Sequence, residues 1–188
     1  APTLSDYDAA KMTLGGDTSK TNAGSYAATV TPKANYRWPD GSSSAKSVPW
    51  SIAKAAGSLS LSPTSATLGG VGEVQVISVT RAGDGAISAT SSNTGVATAQ
   101  ISGSNVVVTG KGEGSATTTV KVAEGTNHLS PSNKTVNISV VKPTVANSTW
   151  DNIKSISEAG NAASYFAVGD VKSIKINGTV QGYTFSNV

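Results

Sequence analysis

The sequence predicts an all-β fold: tandem β-sandwich modules followed by a short α+β piece. Three observations predict it. First, β-branched residues dominate the apolar set, with 20 Val and 9 Ile against 6 Leu and 1 Met, and 50 residues are Ser or Thr; branching at Cβ suits a pleated strand and disfavours a helix. Second, about seven short runs with period-two or β-branched character lie between residues 58 and 141, separated by turn signals, which is the signature of a sandwich. Third, two stretches recur at a nearly fixed, domain-sized offset, which reads as repeated modules on one chain.

The runs can be taken in order. Ser58-Leu-Ser-Leu-Ser62 alternates at period two, and Glu73-Val-Gln-Val-Ile-Ser-Val-Thr80 does much the same. Gly83-Asp-Gly85 turns the chain into a run over 86–91, and Asn93-Thr-Gly95 breaks it before 96–101. Ser102-Gly-Ser-Asn105 turns into Val106-Val-Val108, and Gly110-Lys-Gly-Glu-Gly114 precedes 115–122. A polar loop then leads to a last run over 134–141. The region 54–141 suits one sandwich of about 100 residues. Before it, Gly24-Ser-Tyr-Ala-Ala-Thr-Val30 aligns with Gly114-Ser-Ala-Thr-Thr-Thr-Val120 at an offset of 90 residues. Ala45-Lys-Ser-Val-Pro-Trp-Ser-Ile52 aligns with Asn133-Lys-Thr-Val-Asn-Ile-Ser-Val140 at an offset of 88. Residues 1–53 therefore read as a related module that is incomplete at its N-terminus. Its open sheet edge would need cover, either from a segment missing here or from a neighbouring chain, the latter by strand addition.

After a linker at 142–147 the pattern changes. Ser148-Thr-Trp-Asp151 reads as a helix start, a hydroxyl cap with an acid three residues on. Trp150, Ile153 and Ile156 recur at helical spacing, with Trp150 expected in a small core, and Gly160 stops the run. Val171 to Ile176, Asn177-Gly178 and 179–185 read as a hairpin with a type I′ turn. Residues 148–188 are too few for a sizeable core and read as the start of a module.

A resemblance runs through most of the chain. Residues 22–41, closing with Trp50-Ser-Ile52, resemble Ig-like repeats from proteins of gut Gram-positive bacteria and their phages. Residues 55–141 resemble a bacterial group-2 Ig-like domain, carried by Ser91-Ser-Asn-Thr-Gly-Val-Ala97 and Gly110-Lys-Gly-Glu-Gly-Ser115. The tail, with Trp150, Tyr165-Phe166, Val168-Gly-Asp170 and Ile174-Lys-Ile-Asn-Gly178, is similar to the opening of a module often placed after such repeats. In longer relatives the remainder resembles a lectin-like ligand-binding domain. The resemblance implies a structural and adhesive role on an exterior surface. A phage tail, fibre or capsid-associated component is the leading expectation, and a bacterial adhesin or wall-protein stalk that binds glycans is the alternative. A non-catalytic appendage of a secreted glycan hydrolase is the third.

Chemistry is sparse. The chain has no cysteine, which excludes disulfides and thiolate nucleophiles. Its formal net charge of +3, with 13 % charged residues, gives too weak a field to argue for nucleic acid. No apolar run has the length of a membrane span, so neither nucleic acid nor membrane insertion is expected. His128, the one histidine, lacks any acid and nucleophile at recognisable spacing. Asp6 and Asp8 are too few for a cation site, and Asp40 and Asp84 precede glycines where turns want them. Gly110-Lys-Gly-Glu-Gly114 lacks the Lys-Ser/Thr of a phosphate loop. Four glycosylation sequons, at Asn133, Asn137, Asn147 and Asn177, arise naturally in so Ser/Thr-rich a chain. No catalytic residue, metal site or cofactor is therefore expected. Tyr26 and Trp50 are expected to fill the first module's core from facing strands. Trp38, beside Pro39-Asp40-Gly41, is the single candidate for an outside contact. Expected partners are neighbouring copies, other virion or surface proteins, and cell-surface glycans.

Overall fold

The computed structural model describes residues 5–176 and 179–184. It is mostly β. The first three strands are β1 (Met12–Gly16), β2 (Gly24–Pro32) and β3 (Lys46–Ile52), and they form one antiparallel sheet in the order β1-β2-β3. Eight further strands build a two-sheet sandwich: β4 (Ser58–Ser62), β5 (Ser65–Leu68), β6 (Val74–Ala82), β7 (Ile87–Ser91), β8 (Ala97–Ser102), β9 (Asn105–Gly110), β10 (Gly114–Val122) and β11 (Lys134–Val140).

The sandwich follows its alternation. One sheet runs β4-β6-β9-β8 and the other β5-β11-β10-β7. Leu59 and Leu61, Ile77, and Val106 and Val108 turn inward from the first sheet; Val120 and Val122, and Val136, Ile138 and Val140 do so from the second. They make one buried cluster, with Ser, Thr and Asn at most of the alternate outward positions. Residues i and i+2 share a face of a strand, so period two in sequence becomes one apolar layer in space.

β5 is a strand that alternation does not announce. After β4 the chain crosses to the other sheet through a cis Ser62–Pro63 bond. It then runs parallel to β11, with Ser65 opposite Asn137 and Leu68 opposite Val140. Four residues suffice because β11 offers outward N–H groups: Asn137 donates to the Thr64 carbonyl (3.1 Å) and Val141 to that of Leu68 (3.0 Å).

The sequence repeat reappears as register. Gly24 lies opposite Ile52 and Val30 opposite Lys46 in β2–β3; Gly114 lies opposite Val140 and Val120 opposite Lys134 in β10–β11. The third strand agrees too: Leu14 pairs with Val30 as Ala89 pairs with Val120. The N-terminal sheet thus repeats the β7-β10-β11 ladder, and among the described residues it has no counterpart of β5 and no second sheet facing it. β1 was not expected, because Met12-Thr-Leu-Gly-Gly16 is short and ends in glycines; its ladder to β2 makes it a strand. Tyr26 and Trp50 are half-buried rather than enclosed in a core. They are directly opposed on adjacent strands of the same sheet, with ring centroids 5.0 Å apart.

Residues 53–57 join the two parts through a dense joint. Ala55 N–H donates to Asn127 O (2.8 Å) and Leu129 N–H to Ala55 O (2.9 Å). The Asn127 side chain accepts from Ala23 N–H (2.7 Å) and donates to Asn22 Oδ1 (3.2 Å). Lys54 Nζ reaches Glu124 Oε1 (2.5 Å) and the Gly125 carbonyl (2.7 Å).

Beyond the sandwich, the segment expected as a linker is packed: Pro143 and Val145 are buried. Thr144 and Asn147 tie it into a turn through reciprocal side-chain-to-backbone bonds. α1 (Trp150–Glu158) is capped by Thr149, whose hydroxyl accepts from Asn152 N–H (3.1 Å). The cap is therefore one residue later than Ser148, which is itself buried. Gly160 ends the helix at φ +71, a conformation that suits glycine. α2 (Ala162–Tyr165) follows, and Val145, Ile153 and Phe166 form a small second cluster. Trp150 is not in it and is 47 % exposed. It stands at the first position of the helix, one turn before Ile153, which carries the cluster. β12 (Val171–Ile176) and β13 (Thr179–Thr184) pair with Ile176 opposite Thr179. That fits the expected hairpin, while its turn at Asn177-Gly178 lies outside the described residues.

Candidate functional site

The N-terminal sheet positions a concave apolar site framed by aromatic rings. Val30 of β2 and Val48 of β3 form its floor. Tyr7, Met12 and Trp38 line it too, with Asp6 and Lys46. The groove encloses about 470 Å³, within the ~300–1,000 Å³ usual for ligand clefts.

Trp38 is held by its own loop. Its backbone N–H donates to Ser42 O (2.8 Å) and its carbonyl accepts from Gly41 N–H (2.9 Å). The indole N–H donates to Ser44 O (2.8 Å), and the Lys46 ammonium sits 5.1 Å from the ring centroid. Lys46 also pairs with Asp40 at 2.7 Å. Asp40 accepts from the Ser42 N–H (2.9 Å) and hydroxyl (2.6 Å) as well. The Lys46 ammonium, with the Ser42 donors, holds this carboxyl well below its ordinary range. The ring is half-buried and offers one side to the groove. Sequence reasoning singled out Trp38 but missed Tyr7, 31 residues away, because nothing local pairs them.

The other sequence candidates have structural duties. Asp8 accepts from Ala10 N–H (2.8 Å) and pairs with Lys11 (3.0 Å), while Asp6 accepts from the neighbouring Ser5 hydroxyl (3.3 Å). The two do not converge on one point. His128 Nδ1 lies 3.2 Å from Asp84 Oδ1, and Asp84 Oδ2 accepts from Asn127 N–H (2.9 Å). That backbone bond, first, and His128 hold the Asp84 carboxyl below its ordinary range. Gly125 lets the carboxylate in, since a Cβ there would collide with it. The Asp84–His128 pair thus braces the loop that carries Asn127 to the joint. Among the described residues, no group of three or more His, Asp or Glu side chains could hold a metal ion. No helix among them is long and apolar enough to cross a membrane.

A larger trough of about 580 Å³ lies on the outer face of β5-β11-β10-β7, lined by Ser65, Thr67, Ser115, Thr117 and Ser139 among others. Its lining has no aromatic or charged group.

No family model matches the chain, and no curated protein matches it. Among solved structures, it is similar to the crystal structure of the S-layer protein SbsC domains 4 and 5. The identity is 21 % over 73 % of this chain and 74 % of that one, with a TM-score of 0.38, too low for the two folds to be equated.

Proposed function

We propose that this chain is a non-catalytic structural and adhesive component of an exterior surface, spacing or presenting a binding domain. The observation that carries the reading is the joint between the N-terminal sheet and the sandwich. A spacer has to hold successive units in fixed relation. Here five connecting residues, 53–57, are tied by backbone bonds between Ala55 and the Asn127–Leu129 segment, with Asn127 also gripping Asn22 and Ala23. Backbone bonds of this kind fix orientation more firmly than a flexible linker can. The repeated ladder supports the same reading, as units of one kind in series, Ig-like by resemblance. The outward faces rich in Ser and Thr suit exposure to solvent.

The finer reading places the chain on a phage particle, as a tail, fibre or capsid-associated component. The alternative, a bacterial adhesin or wall-protein stalk, draws on the Trp38 groove. An aromatic ring beside an ammonium and carboxylates is the chemistry that stacks on and hydrogen-bonds a sugar. Antibodies raised against the chain test the shared claim: they are expected to label intact particles or unbroken cells. Labelling only after disruption would contradict an exterior role. Co-purification with virions on a density gradient, rather than with the wall fraction, separates the two finer readings.

A further inference from the structure

The loop that carries Trp38 forms a second concavity, on residues that do not line the groove. Residues 33–45 join β2 to β3 at the end of the sheet away from the joint: Val30 pairs with Lys46 there, while Gly24 pairs with Ile52 beside residues 53–57. The loop opens with a turn in which Tyr36 N–H donates to Lys33 O (3.0 Å). Asn35 takes that turn at φ +71 and is the one non-glycine residue with positive φ among the described residues. Glycine would adopt the conformation at less steric cost, whereas asparagine keeps an amide there. Lys33, Asn35, Tyr36, Arg37 and Ser43 line one open concavity of about 510 Å³.

Both cations of this concavity lack a carboxylate. The Lys33 ammonium donates to the Ala9 carbonyl (2.7 Å), and one Arg37 nitrogen lies 3.4 Å from Gly41 O. Neither forms an ion pair among the described residues. The nearby carboxylates are taken. Asp8, next to Ala9, pairs with Lys11 (3.0 Å), and Asp40, on the loop itself, pairs with Lys46 (2.7 Å). Most of the guanidinium's N–H donors are therefore open, and the Tyr36 ring beside them is 43 % exposed. The loop that joins the corresponding strands of the sandwich, 123–133, has no Lys, Arg, Tyr or Trp; its Glu124 and Asn127 hold the joint. The basic and aromatic side thus belongs to this loop and not to the repeated ladder.

We propose that this side of the loop binds an acidic saccharide, a sugar that carries a carboxylate or phosphate group. The Tyr36 ring stacks on the apolar face of the sugar. Arg37 takes the anionic group through paired N–H donors, and Lys33 adds a second positive charge. The Asn35 amide and the Ser43 hydroxyl bond the sugar hydroxyls. A neutral sugar would leave both cations unused, and a simple anion would leave the ring unused. A ligand with both parts engages the whole set. A nucleic acid has both parts too, but its repeated phosphates call for a longer basic track than two cations in a chain of net charge +3. The site is open to solvent, so its binding is weak and falls with salt. Such binding rests on the adhesive role and names its ligand class, at a site apart from the Trp38 groove.

Titration of the full isotope-labelled chain, followed by amide chemical shifts, gives affinity and location together. The probes are trigalacturonic acid, glucose phosphorylated at its primary hydroxyl and, as the neutral control, maltotriose. At least one acidic probe is expected to bind about fivefold or more tightly than maltotriose, with shifts centred on residues 33–37 and 43; the better of the two tells carboxylate from phosphate. Arg37→Gln should weaken that probe about fivefold and flatten its salt dependence, and Tyr36→Ala should weaken acidic and neutral probes alike. Both side chains are exposed, so both variants keep their fold by circular dichroism. Equal affinity for acidic and neutral probes would overturn the proposal, as would an Arg37→Gln chain that binds like the parent. Shifts centred on Val30 and Val48 would overturn it and move sugar binding to the Trp38 groove. Tighter binding of a short single-stranded DNA would overturn it in favour of nucleic acid. No binding of any probe would overturn it as well, and would leave standing the exterior location, which surface labelling tests separately.

Discussion

Two regions of this molecule use one ladder and cover it differently. β10 and β11 pair in the same register as β2 and β3, but the first pair lies under a four-stranded sheet and the second under side chains and loops. The difference is visible at the inward position on the central strand. In the sandwich it is Thr118, fully buried, whose hydroxyl finds no hydrogen-bond partner among the described residues; in the N-terminal sheet it is Ala28, equally buried. Opposite the next inward position, Ile138 of the sandwich becomes Trp50, which covers more of its own sheet. The Trp50 indole N–H donates to Asp17 O (2.8 Å), and Tyr26 leans against its ring. Where the sandwich uses a second sheet, this sheet thus carries large rings anchored at their polar ends, a use for which Trp and Tyr are suited.

The comparison can be broken most forcefully at that pair. Ile138→Ala should destabilise the sandwich by about 2–5 kcal/mol, the usual loss for a buried Ile truncated in a closed core, read as a shift in the urea midpoint. Trp50→Ala should leave that transition in place and loosen only β1–β3. An equal shift from both would mean that the two regions unfold as one. Next in size is Thr118→Val. Removing a buried hydroxyl that lacks a partner should stabilise by about 1–2 kcal/mol, seen as a raised thermal midpoint; a lowered midpoint would show that the hydroxyl is bonded after all.

The smallest effect is expected from acid. Asp8, Asp17 and Asp40 of the N-terminal region are all held below their ordinary range, by Lys11, Lys20 and Lys46 first; the sandwich has one such carboxyl, Asp84. A depressed carboxyl stabilises the fold above its unfolded value of about 4, and that contribution fades as pH falls towards the folded value. Acidification below about pH 4 should therefore loosen β1–β3 before β4–β11, observed as earlier loss of amide protection. The reverse order would contradict this assignment.

How much the sequence revealed depends on the range of the interactions. Strands built on their own alternation, such as β4 and β6, were readable, because period two is local. So was the β2–β3 relation to β10–β11, because repetition copies register. β5 was not, since its partner's N–H groups create it across 72 residues. Trp150 misled because helical spacing marks a face but not how far along the helix the core extends. Trp38 was legible as a loop aromatic. Its groove was not, because Tyr7 and Val48 reach it from distant parts of the chain. Nor was the Asp84–Asn127–His128 brace, whose members lie 43 and 44 residues apart.

The most direct test of the role of the cover is amide hydrogen exchange across a urea series, comparing β2 with β10. The two strands have the same pairing, so local hydrogen bonding cancels and the cover alone differs. β10 amides should exchange only through full unfolding of the sandwich, with a steep urea dependence. β2 amides should exchange through a smaller opening with a shallower slope. Equal opening free energies and equal slopes would contradict this, because they would mean that the second sheet gives the shared ladder no protection that the rings do not.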